Sequence, residues 1–134
     1  MRYIMFCIAM LGLTGTSAAA SYGGKWKGTI EPVSNTCGTP PNAFAVSYKV
    51  HRIGSHIYAR ISGNQKVKRG KASKTGFSFS EGFYKRTENL LCLKRYLWQF
   101  RPTGTKSADH ILLFTYGCSD GSSCVTAWRG LVKK

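Results

Sequence analysis

Lys49, Arg60, Lys66, Lys68, Arg69 and Lys71 fall in one stretch of chain, with His51 and Tyr58 among them and no acidic residue between positions 49 and 71. Ammonium and guanidinium groups interleaved with flat rings suit contact with polyanions. The cations meet phosphate, sulfate or carboxylate, and the rings offer stacking surfaces. Three histidines, His51, His56 and His110, supply a second kind of chemistry. With Glu81 as a carboxylate partner they could shuttle protons, as a secreted nuclease requires. No sequence motif ties these residues together: there is no Gly-x-Ser-x-Gly, no run of oxygen ligands for calcium and no Cys-x-x-Cys pair for zinc. No cofactor or metal is expected, and the residues give no positive reason to read the chain as an enzyme.

Side chains of this kind act together only if the backbone gathers them. A two-residue turn at Gly54-Ser55 sets Ile53 opposite His56. Val50 then faces Ala59 and Tyr48 faces Ile61 on an apolar side, while His51 faces Tyr58 and Lys49 faces Arg60 on the other. Continuing through a three-residue turn at Gly63-Asn64-Gln65, Ile61 pairs with Val67 and Lys68 falls beside Arg60. The same parity brings Lys66 near Ser62. The expectation is a lateral row Lys49–Arg60–Lys68, with Arg69 in the same patch and Lys71, Lys74, Lys85, Arg86, Lys94 and Arg95 available to widen it.

The rest of the chain reads as strands. Trp26, Gly28 and Ile30 alternate with polar residues, as do Phe44, Val46, Tyr48 and Val50, then Ile57, Ala59 and Ile61, then Phe77 and Phe79, then Tyr96, Trp98 and Phe100. Glycine, proline and asparagine clusters separate them. About eight short strands predict an all-β antiparallel barrel or barrel-like sandwich. Thr87 to Leu97 is the one stretch that also admits a short helix capped by Thr87.

The N-terminus has one arginine, an apolar run from Tyr3 to Leu13, and small residues ending at Ala20. This is the order of a secretory signal peptide, which predicts cleavage after Ala20, a single domain over 21–134, and a secreted or periplasmic location. No later run is long enough to span a membrane. The 134-residue chain carries a net charge of +15 at pH 7, and loss of Arg2 with the leader lowers it by one. Cys37, Cys92, Cys118 and Cys124 remain, an even number that reads as two disulfides in an oxidising compartment. Cys118 and Cys124 flank a turn-rich Ser-Asp-Gly-Ser-Ser segment, which favours Cys118–Cys124 with Cys37–Cys92 among the three pairings.

Gly24-Lys25-Trp26 resembles the Gly-x-Trp opening of calycin-type barrels, the lipocalin and avidin-like families. The resemblance implies a ligand-binding barrel plugged at one end by Trp26, with a basic residue of the last strand, Arg129, lying across the ring. Trp128 and Gly130 repeat the Trp-x-Gly spacing of Trp26 and Gly28, as though the first and last strands met at a seam with aromatic rings laid against glycine. The functional expectation is a secreted, non-enzymatic module that contacts nucleic acid, acidic polysaccharide or an anionic surface. The alternative is a calycin-like carrier of a small apolar ligand enclosed by Phe44, Tyr48, Phe77, Phe79, Trp98 and Phe114.

Overall fold

The computed structural model describes residues 22–134; the expected leader, 1–20, lies outside them. Eight strands, β1 (Gly24–Asn35), β2 (Phe44–Ile53), β3 (His56–Ile61), β4 (Lys68–Ala72), β5 (Phe77–Thr87), β6 (Leu90–Pro102), β7 (Ser107–Cys118) and β8 (Ser123–Lys133), pair in sequence order. The last returns to the first, closing an antiparallel barrel. No helix occurs among the described residues.

The alternation read from the sequence decides which side chains point inward. Trp26, Ile30, Val46, Tyr48, Val50, Ile57, Ala59, Phe77, Phe79, Trp98 and Phe100 are all buried. At one end the barrel is packed solid. The Trp26 indole donates to the Tyr22 carbonyl at 2.9 Å, Phe77 stacks on Phe100 at 4.5 Å, and Phe100 stacks on His110 at 4.1 Å. Small barrels fill in this way because their diameter leaves little more than side-chain room.

Barrel closure needs β1 and β8 to approach closely, and two glycines allow it. A Cβ on Gly28 would lie 2.4 Å from the Leu131 carbonyl oxygen, and one on Gly130 would lie 2.2 Å from that of Thr29. The room is taken by the neighbouring backbone, not by aromatic rings. Trp26 and Trp128 do not meet at the seam: Gly28 pairs with Val132, whereas Trp128 pairs with Pro32 near the other end.

Three expectations are corrected. Thr87 to Leu97 is not a helix; it holds the turn of the β5–β6 hairpin, where Thr87 pairs with Leu90, and then the start of β6. From Cys92 the inward positions run Cys92, Lys94, Tyr96, Trp98, Phe100, a period of two that overrides the local helical pattern. The disulfides are Cys37–Cys124 and Cys92–Cys118, not Cys118–Cys124 with Cys37–Cys92. Cys92 lies directly opposite Cys118 on neighbouring strands, and Cys37 continues the β1–β8 register that pairs Asn35 with Thr126. Finally, Arg129 does not cover Trp26. It points outward and donates to the Asp109 carboxylate at 2.6 and 3.1 Å, while the Lys134 ammonium stands 5.1 Å from the centre of a Trp26 ring.

Candidate polyanion-binding wall

The outward face of β1–β4 carries the cations. Lys49 stands opposite Arg60 and His51 opposite Tyr58, the register derived from the Gly54-Ser55 turn. On the far side, Lys49 is also opposite Lys25 of β1. The result is a continuous row Lys25–Lys49–Arg60, all exposed, with strand axes about 4.8 Å apart. A second row runs His51–Tyr58–Arg69, and in a third His56 faces Lys71. Lys27 adds a further cation on β1, opposite Lys133 of β8. No acidic residue occurs anywhere on β2, β3 or β4, so no side chain of these strands neutralises the field. Like charges directly opposite across strands are unfavourable by some tenths of a kcal/mol.

Lys68 is not part of this wall. The β3–β4 connection spans residues 62–67, and the ladder pairs Ala59 with Lys68 and Tyr58 with Arg69, one residue out of step with the expected Arg60–Lys68 pairing. A one-residue slip reverses every side chain's face. Lys68 is therefore inside, at 3% exposure. The reason is charge and space. The expected register would have turned both Arg69 and Lys71 inward, whereas the observed one turns in Lys68, Gly70 and Ala72. Gly70 belongs there: a Cβ on it would lie 1.8 Å from the Ser78 carbonyl oxygen.

Glu81 on β5 supplies the counter-charge for the buried Lys68. Its carboxylate lies 3.1 Å from Lys68 Nζ and 3.1 Å from Lys66 Nζ. Partial burial opposes ionisation of Glu81, but the two ammonium groups outweigh it and hold the carboxyl below its usual range. Lys68 also stands 5.8 Å from the centre of a Trp98 ring. Lys66 remains exposed in the β3–β4 loop, so it has an intramolecular partner as well as access to solvent.

Glu81 is accordingly no partner for His51 or His56, which are exposed on the outer face of β2 and β3. His110 is fully buried. Its Nδ1–H donates to the Gln99 carbonyl at 2.9 Å, which leaves Nε2 to accept from the Tyr48 hydroxyl at 2.8 Å. Burial lowers the imidazole pKa from 6.5 to about 4, so His110 is neutral near pH 7. It acts as a structural post for the packed end. The described residues contain no cluster of three or more His, Cys, Asp or Glu able to hold a metal.

Opposite the packed end is a solvent-open mouth of about 870 Å³, lined on its inner side by Phe44, Val46, Tyr48, Ile61, Tyr96 and Trp98. Phe77 and Phe79, expected around a ligand, are instead packed in the core, and Phe114 lies against Tyr96 at 4.9 Å. The alternation in the sequence puts Lys49, Arg60, His51 and Tyr58 on the wall; Arg69 and Lys71, expected in the patch, reach it only through the shifted β3–β4 register, and Lys25 is not among the expected residues. The signal was the alternation of Trp26, Gly28 and Ile30, which already put Lys25 and Lys27 on the outward side. What was missing was the partner strand, because the 36–43 connection is too long to set register by turn geometry.

In class, then, this is a closed eight-stranded antiparallel barrel with two disulfides and a strongly cationic composition. Its strand count and closure are those of a small calycin-like barrel. No protein-family model, curated protein or solved structure matches the chain. No helix among the described residues is long and apolar enough to cross a membrane.

Proposed function

We propose that this is an exported, non-enzymatic module that contacts polyanions through the outer wall of β1–β4. Lys25, Lys49 and Arg60 form the central row; Arg69, Lys71 and Lys66 flank it, and Tyr58 and His51 offer ring faces. One observation carries the reading: three cations stand directly opposite one another on adjacent strands, with no acidic side chain on β2–β4 to relieve them. A bound polyanion would remove that repulsion and release its own condensed counterions. The contact is electrostatic and reads charge density, not sequence. The two disulfides are in keeping with an oxidising compartment.

The test is retention on immobilised heparin and on single-stranded DNA at about 50 and about 200 mM salt, comparing the parent with the Lys25→Ala/Lys49→Ala/Arg60→Ala variant. The parent should weaken by orders of magnitude across that range, and the variant should have a salt slope shallower by roughly two to three. Equal retention of parent and variant would remove the wall from the proposal. A second reading, a carrier of a small apolar or amphipathic molecule, is favoured by the aromatic-lined mouth. It predicts that such a ligand perturbs Trp98 fluorescence and that Phe44→Ala, on the inward face of β2 at the mouth, weakens that ligand while leaving polyanion retention intact.

A further inference from the structure

The barrel closes at the level of β4 but not above it. β4 has five residues and pairs with β5 only from Phe77 to Phe79. The β5–β6 hairpin continues beyond, with ladder pairs running to Thr87 and Leu90. Residues 82–87 of β5 are all exposed, and among the described residues no backbone hydrogen bond or ladder joins them to anything but β6. This half-strand is an open sheet edge, with one side's N–H and C=O groups turned to solvent.

The edge is held rigid from behind. β6 pairs with β7 from Cys92 to Pro102, and the Cys92–Cys118 disulfide ties the base of the hairpin tip. The tip is fixed further by Ser119, whose N–H donates to the Leu91 carbonyl at 2.8 Å and whose Oγ accepts from the Leu91 N–H at 3.1 Å. A template already straight and anchored loses little entropy when a strand is added. Gly82 at the base of this edge is also informative. Gly28, Gly70, Gly76 and Gly130 each have a backbone oxygen within 2.4 Å of where a Cβ would sit, supplied by a neighbouring strand. At Gly82 the nearest such atom is 3.6 Å away, so the barrel itself does not require glycine there, and an incoming backbone would use the room.

We infer that residues 82–87 of β5 accept an extended acidic segment of a partner protein as an added antiparallel strand. Charge selects the occupant. Lys85 and Arg86 lie on the edge strand, with Lys94 and Arg95 opposite Phe83 and Gly82 on β6. The nearby acids are Glu88 in the turn and Glu81, which Lys66 and Lys68 already engage. A second copy of this chain, at net charge +15, would bring like charges together along the same edge. Tyr84, 71% exposed, and Phe83, 43% exposed, put an apolar group beside a cation on each face, Tyr84 with Arg86 and Phe83 with Lys85, so the fitting segment carries both acidic and apolar residues on each of its faces. Main-chain bonds supply attachment and the side chains select, as in strand-addition recognition generally. This surface is separate from the β1–β4 wall, and the inference does not depend on that wall's function.

The probe is an end-capped peptide of repeated Glu-Glu-Val-Val, with two derivatives in which one or the other alternate set of amides is N-methylated at unchanged charge. In strand addition only one set of N–H groups faces β5. One derivative should therefore lose at least about tenfold in affinity while the other binds like the parent peptide. Hydrogen exchange at residues 82–87 should slow on binding. Lys85→Glu/Arg86→Glu should lose the acidic peptide and gain its lysine counterpart. Equal binding of both derivatives, protection mapping to β1–β4, or no binding at millimolar peptide would each overturn the inference. The methylated peptides leave the protein unaltered, so a folding defect cannot mimic their result.

Discussion

His110 is where a single residue's environment becomes measurable. Its folded-state pKa is about 4 against 6.5 for the free side chain, so the unfolded chain binds the proton more readily. The sign follows. The neutral, buried histidine contributes fully above about pH 6.5, and that contribution drains away as pH falls towards 4, on the order of 3 kcal/mol in all. Chemical denaturation from pH 7 to pH 4 should show this slope, and His110→Gln should flatten it. Tyr48→Phe removes the donor to Nε2 and should cost about 1–3 kcal/mol by leaving that nitrogen unsatisfied. Lys68 gives the complementary residue-scale prediction. Because it is inside and paired with Glu81, Lys68→Ala should destabilise by about 1–3 kcal/mol through lost packing and a weakened ion pair. Its heparin retention should match the parent's to within the loss of a single charge. A stable variant with strongly reduced retention would mean that Lys68 works at the surface.

At the level of strands, Cys92–Cys118 joins positions that the ladder places face to face, and Cys37–Cys124 extends the β1–β8 register just past its last pair, Asn35 with Thr126, so both cross-links reinforce register. Cys37–Cys124 closes a separation of 87 residues and Cys92–Cys118 one of 26. If unfolded-chain entropy dominates, replacing both cysteines of the longer bridge with alanine should cost about 1 kcal/mol more than replacing those of the shorter. Paired denaturant melts of the two double variants measure the order, and a reversal would mean that strain or residual structure outweighs loop length. The β3–β4 connection makes the same point about register. A short turn dictates pairing, as at Gly54-Ser55, but a longer loop leaves the choice to what each strand can bury. There, the cost of enclosing Arg69 and Lys71 decided against the simpler turn.

Across the whole molecule, charge is the dominant feature. A chain of net charge +15, all but Arg2 of its Lys and Arg lying within residues 22–134, repels itself when compact, and the unrelieved row on β1–β3 concentrates that repulsion. Raising salt from about 50 to about 500 mM should therefore raise the melting temperature of the free protein. The Lys25→Ala/Lys49→Ala/Arg60→Ala variant should start more stable at low salt and respond less. A melting temperature that falls with salt would show that favourable ion pairs, such as Arg129–Asp109 and Lys66–Glu81, outweigh the wall.

The pattern of residues by itself determined the strand class, the inward set from Trp26 to Phe100, and the β2–β3 face that joins Lys49 to Arg60 and His51 to Tyr58. Those features depend on side-chain period and one tight turn, which are local. Only the tertiary structure decided that Lys25 completes the row, that Lys68 turns inward to Glu81, that Cys37 meets Cys124, and that Lys134 instead of Arg129 covers Trp26. Each of these depends on the register between strands joined by long connections or by closure of the barrel. That register is chosen by collective burial and close backbone approach, which no local run of residues encodes.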